Sequence, residues 1–148
     1  MYKHILIPTD GSKLAGSCAQ AGVRLAARLG ARVTAFFAAP PATPIVYKAL
    51  LPSGYATPRE HQKSIDKAAR AYLGAIEKMA RAAGVRCQSV TVVSDYPAEA
   101  IVAAAAKQGC DLVFMASHGR RGLRRSSLLG SETQKVLSES RVPVLVFR

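Results

Sequence analysis

Acidic residues are scarce in this chain: 9 Asp and Glu stand against 21 Lys and Arg, a formal net charge of +12. The pI near 10.2 favours polyanionic partners through long-range attraction. Cysteine is also sparse. Cys18, Cys87 and Cys110 show no C-x-x-C or C-x-x-H spacing, so they define no metal site or disulfide framework and read as buried, thiol-bearing small hydrophobes. Long apolar runs are missing. Ala100–Ala106 is far too short to span a bilayer, so no membrane partner is expected. The opening Met1-Tyr2-Lys3-His4 lacks a signal peptide's apolar core, and a soluble, cytoplasmic protein is the expectation. Neither G-x-x-x-x-G-K-[ST] nor G-x-G-x-x-G occurs, which leaves a P-loop nucleotidase or a dinucleotide dehydrogenase unsupported. His4, His61 and His118 have no Ser/His/Asp or Cys/His arrangement around them, so no catalytic residue is assigned and any turnover is expected to be slow. The basic residues are spread along the chain without an RNA-reading aromatic motif, so nucleic acid is not an expected partner.

What is present describes one folded domain, residues 1–148, with 49% apolar and only 20% charged residues. His4–Pro8 is a short apolar strand, and Thr9-Asp10-Gly11-Ser12 is the turn after it. Asp10 or Ser12 can cap the next helix, where Leu14, Cys18, Ala21, Leu25 and Leu29 recur at helical spacing and Gly30 ends the run. Val33–Ala38 is a second strand. Pro40, Pro41, Pro44, Pro52 and Pro58 then interrupt the chain, before an apolar stripe from Ile65 through Tyr72 and Ile76 to Ala83 marks the longest helix, closed by Gly84. Cys87–Val93 is a third strand. Pro97 opens a helix through Lys107 that Gly109 stops, and Asp111–Met115 is the fourth strand. A capped helix and the strand Val142–Phe147 complete the chain. Strands alternating with helices make an α/β, doubly wound parallel sheet with helices on both faces.

The most informative stretch follows the fourth strand: Met115-Ala116-Ser117-His118-Gly119, then Arg120–Leu129, then Gly130-Ser131-Glu132-Thr133-Gln134. Ser131 through Gln134 fits S-x-x-E/Q, so Ser131 is expected to cap a helix running to about Ser138. A strand, a glycine-bearing loop and a helix N-terminus together build an anion site from backbone N–H groups and the helix dipole. The plainer reading is that Gly119, Gly122 and Gly130 only turn the chain. Arg120, Arg121, Arg124 and Arg125 crowd the same loop, either as solvated charge or as phosphate contacts.

This stretch resembles the nucleotide loop of the universal stress protein family, whose ATP-binding members carry G-x2-G-x9-G-[ST]. The likeness continues through Lys135-Val136-Leu137 and Arg141–Val146, and Lys3–Ser12 is similar to the family's opening strand and turn. Ala116 stands where the pattern has its first glycine, and ten residues rather than nine separate Gly119 from Gly130. The resemblance implies a strand order 3-2-1-4-5, with Asp10 facing the glycine loop across one crevice. It implies an ATP site, with Mg²⁺ possible at Asp10, drawn from Pro8, Thr9, Asp10, Ala38, Met115, Ala116, Ser117, His118, Gly119, Gly130, Ser131, Glu132 and Thr133. Pro8, Thr9, Ala38 and Ala39 would lie on the adenine side. Asp10 would take ribose hydroxyls or a metal, or merely cap its helix. Gly119, Gly130, Ser131 and Glu132 would meet phosphates, largely through N–H groups, and His118 would stand nearby in the loop. An apolar edge strand, Val142–Phe147, is expected to pair with a second copy in a homodimer. The rival expectations are a dimeric stress adaptor of the same fold without nucleotide, and a slow ATPase or phosphotransferase.

Overall fold

The structure, a computed structural model, describes residues 1–41, 57–119 and 129–148. Its elements in order are β1 (His4–Pro8), α1 (Lys13–Leu29), β2 (Arg32–Ala39), α2 (Pro58–Ala82), β3 (Cys87–Val93), α3 (Pro97–Gln108), β4 (Leu112–Ala116), α4 (Ser131–Glu139) and β5 (Val144–Phe147). The strands form one sheet, β3-β2-β1-β4-β5, with every pairing parallel. This is the order the resemblance implied.

Parallel neighbours need long crossovers, and helices supply them here. Successive strand residues point to opposite faces, so the apolar strands feed two cores. Ile5, Ile7, Val33, Ala35 and Phe37 pack with Cys18 and Val23 of α1 and Ile76 of α2. Leu6, Phe36, Val113 and Met115 pack with Ala98 and Ile101 of α3 and Val136 of α4. A strand covered on both faces must be apolar throughout, which is why Ile5, Leu6 and Ile7 are all fully buried. Phe36 fills the second core, and its truncation to Ala would cost about 3–5 kcal/mol. Cys18 and Cys110 are buried free thiols, as expected, whereas Cys87 at the start of β3 is only partly buried. Burial pushes Cys18 up to about 12 and Cys110 up to about 11, which leaves both inert near neutral pH.

Three boundaries correct the sequence reading. Pro58 does not interrupt the chain; it opens α2, and Thr57 caps that helix in a full capping box with Glu60. Proline is tolerated there because a first-turn N–H has no intrahelical acceptor to lose. Ser131 is not the cap of α4. Gly130 holds the cap position in extended backbone, and no side chain caps that end. Gly130 N donates to Ser117 O at 2.8 Å and Gln134 N to Gly130 O at 3.0 Å, which sets the boundary one residue earlier. The last strand begins at Val144 rather than Val142, because Ser140 Oγ and Val142 bond each other in a local turn. Among the described residues no helix is long and apolar enough to cross a membrane.

Candidate functional site

β1 and β4 lie side by side, and the chain leaves them toward opposite halves of the sheet. A crevice opens beyond their carboxyl ends at such a reversal. Thr9 extends the β1 ladder: its N–H donates to Phe36 O at 2.8 Å, and its Oγ1 accepts from Gly11 N at 3.1 Å. Asp10 Oδ1 accepts from Ser12 N at 2.9 Å, folding the turn back, and Ser12 Oγ accepts from Ala15 N at 3.1 Å to cap α1. Of the two candidate caps, Ser12 is therefore the one used. Gly11 has φ +77°, and a methyl on it would overlap the ring of Tyr72 from α2. That ring meets Phe37 edge-on at 5.3 Å, so α2 holds the turn down.

The β4 side reaches the same place. Ser117 is buried; its N–H donates to Phe147 O at 2.8 Å, its carbonyl accepts from Gly130, and its Oγ lies 3.2 Å from His118 Nδ1. His118 and Gly119 are exposed beyond it. A Cβ on Gly119 would overlap Asp10 Oδ2, so the missing side chain is what admits the carboxylate. Asp10 and Gly119 thus close on each other across the switch point. Gly130 packs against His118 and starts α4 beside it. Helix geometry leaves the N–H groups of Ser131, Glu132 and Thr133 without an intrahelical carbonyl, and the positive end of the α4 dipole lies with them.

Some expected site residues use their side chains elsewhere. Met115 is buried in the core beneath α3 and α4, and Thr133 Oγ1 donates to Ala116 O at 3.0 Å from a buried position. Glu132 Oε2 accepts from Ala98 N at 2.9 Å, so its carboxylate caps α3. Ala38 and Ala39 lie on opposite faces of β2, next to the half-buried Pro8 and Thr9 through the Phe36 bond. Ala116 ends β4 in extended backbone, which any residue adopts, so alanine introduces no strain there. Arg120, Arg121, Gly122, Arg124 and Arg125 lie outside the described residues. Two residues were missed. Lys13 and Ser17 line an open groove with Ser12, Leu14, His118 and Gly119. They are four apart at the start of α1 and so share a helix face, a spacing visible in the sequence once Ser12 is taken as the cap. Among the described residues no group of three or more His, Cys, Asp or Glu could hold a metal ion.

These features define a class: doubly wound α/β proteins of the Rossmann-like type, with two helix N-termini at a switch-point crevice. The chain belongs to the universal stress protein family, whose model matches residues 1–148. It is 32% identical over 155 aligned residues to universal stress protein MJ0531 of Methanocaldococcus jannaschii, covering 100% of this chain and 83% of that protein. A universal stress protein of Thermus aquaticus is 32% identical with both chains covered in full. The solved structure of protein MJ0577 superposes with a TM-score of 0.79 at 29% identity, covering 99% of this chain and 95% of that one. Two more distant structures share the fold. A universal stress protein in complex with cAMP has a TM-score of 0.71 at 22% identity, covering 99% and 97%. One from Archaeoglobus fulgidus in complex with dAMP has 0.69 at 16%, covering 99% and 98%.

Proposed function

We propose that the chain is an adenine-nucleotide-binding module acting in stress responses, taking ATP with Mg²⁺ in the crevice between β1 and β4. The contact of Asp10 with Gly119 carries this reading, because it brings the family's two motifs to one point from opposite ends of the chain. Asp10 receives ribose hydroxyls or serves as the protein's one carboxylate toward Mg²⁺, with phosphate oxygens and water completing the ion's shell. The phosphates lie against the N–H groups at the start of α4, with Lys13 across the groove. Adenine rests on the small, apolar ends of β1 and β2, at Pro8, Thr9, Ala38 and Ala39. Two proteins of the same fold form complexes with cAMP and with dAMP, which supports an adenine nucleotide as the ligand class. The extended backbone at Ala116 supports it too, since a glycine is not needed there for conformation.

The module is a homodimer joined along β5, the strand at one edge of the sheet. Its outer edge offers unpaired N–H and C=O groups that a second copy satisfies. A titration with labelled ATP and Mg²⁺ at physiological salt, beside AMP and cAMP, is expected to give saturable binding with one site per chain. Absence of saturable binding by any of the three ends the nucleotide reading and leaves the dimeric adaptor.

A further inference from the structure

Basic residues far apart in the sequence meet where the strands begin, at the end of the sheet opposite the crevice. Arg32 N donates to Lys3 O at 3.0 Å and Val33 N to Arg86 O at 2.8 Å, which sets Lys3, Arg32 and Arg86 in a row across β1, β2 and β3. With strands about 4.8 Å apart, the row is about 10 Å long. Arg28 and Arg81, in the last turns of α1 and α2, flank it on one face, and Lys107 of α3 on the other. All six are exposed, and none pairs with a carboxylate among the described residues. The described carboxylates at this end are Glu77, Asp111 and Glu139, and Glu77 accepts from Ser89 Oγ of β3. Asp111 is occupied: its Oδ2 accepts from Lys3 N at 2.9 Å and its Oδ1 from His4 N at 3.0 Å. Asp10, Glu60, Asp95, Glu99 and Glu132 all stand at the crevice end, in turns and first helical turns. Carboxylates are thus denser at the crevice end, which also carries Lys13 and Arg59. Arg28, Arg81 and Lys107 complement helix C-termini, an effect of about 0.3–1 kcal/mol each, but Lys3, Arg32 and Arg86 lie in no helix.

We propose that this end of the sheet is a docking surface for the phosphate backbone of double-stranded nucleic acid. Four of the six cations are arginines, whose planar forks grip phosphate oxygens in pairs. Tyr2, the aromatic residue beside Lys3, packs against the core rather than standing out to stack on a base, which disfavours single strands. Helices end flush with the strand starts here, so none projects into a groove to read base edges. Contact is therefore with the backbone and independent of sequence. A membrane fits less well, because adhesion needs a continuous apolar face, and the exposed large apolar residues at this end, Met1, Leu29 and Leu137, come from three separate segments. The surface is separate from the crevice and does not depend on what binds there.

The test is fluorescence anisotropy of the full chain with a short labelled DNA duplex of random sequence, over a range of salt. Saturable binding is expected, with log affinity falling linearly in log salt at a slope of about −5 if all six cations engage. The exposed pair change R32E/R86E is expected to weaken binding tenfold or more and flatten the slope by about 2. K63E/K67E, on the exposed side of α2, makes the same change in net charge and is expected to do far less. A thermal melt checks that each variant folds, and R32Q/R86Q repeats the test with a gentler substitution. No saturable binding at low salt overturns the proposal, as does equal weakening by both charge-reversed pairs. Displacement of the duplex by Mg-ATP, or binding to anionic vesicles without binding to duplex, overturns it equally.

Discussion

Asp10 and Gly119 are 109 positions apart, yet the absence of one Cβ decides whether they touch. Gly119→Ala places a methyl where Asp10 Oδ2 sits. Moving the carboxylate aside disturbs the bond that Asp10 Oδ1 accepts from Ser12 N, so stability should fall by about 0.5–1.5 kcal/mol. ATP affinity, if Asp10 is its ligand, should fall tenfold or more; unchanged affinity in a titration removes Asp10 from the site. His4 is the other decisive residue. It is buried, its Nε2 lies 2.7 Å from Thr34 Oγ1, and its Nδ1 has no well-aligned hydrogen-bond partner among the described residues. Burial first, and Arg32 second, lower its pKa below the ordinary 6.5. The unfolded chain therefore binds this proton more readily than the folded one. The stabilisation is complete above 6.5 and is lost as pH falls through the lowered value. At Asp111 burial opposes ionisation, but the N–H groups of Lys3 and His4 outweigh it and hold the pKa below 3.8, so its contribution disappears only at still lower pH. Melting temperature should drop between about pH 7 and 5, and His4→Gln should flatten that slope. An equally steep slope in the variant assigns the effect elsewhere.

Among the elements, α4 shows how a local signature yields to packing. Ser131 through Gln134 spells a capping box, but Gln134 Nε2 donates to Leu129 O at 2.7 Å and Glu132 reaches across to α3. α3 has no side-chain cap of its own at Tyr96, so the carboxylate of one helix satisfies the first turn of another. That exchange ties α4, and with it Gly130 beside His118, to the second core. Glu132→Ala should therefore cost about 0.5–2 kcal/mol, the range for losing a helix cap. Urea denaturation measures it, and an unshifted midpoint would show Ala98 N satisfied by water instead.

Over the whole molecule, the proposed assembly rests on β5. Leu145 is 39% exposed, whereas Phe147 is partly buried and packs on Phe114 at 6.4 Å against the first core. A charge at Phe147 would damage the fold, so Leu145→Lys is the clean probe of the interface. Wild type is expected to sediment as a dimer at micromolar concentration and Leu145→Lys as a folded monomer. A monomeric wild type ends the dimer proposal, and a dimeric variant moves the interface away from β5.

The strands, their parallel pairing class and most helix ends were legible in the sequence, because apolar periodicity, glycine and proline act within a few residues of themselves. Cys87–Val93 and His4–Pro8 needed no tertiary information. The order β3-β2-β1-β4-β5 came from resemblance and not from periodicity, since nothing in a strand's own pattern names its neighbours. The capping of α3 by Glu132, the burial of Thr133, and the place of Lys13 and Ser17 beside His118 depended on how helices pack. Charge shows the division most plainly. Along the chain, Lys3, Arg32 and Arg86 are isolated cations; only parallel pairing, which starts every strand at one end, brings them side by side. Composition determined how much positive charge the protein carries, and the sheet determined where it stands.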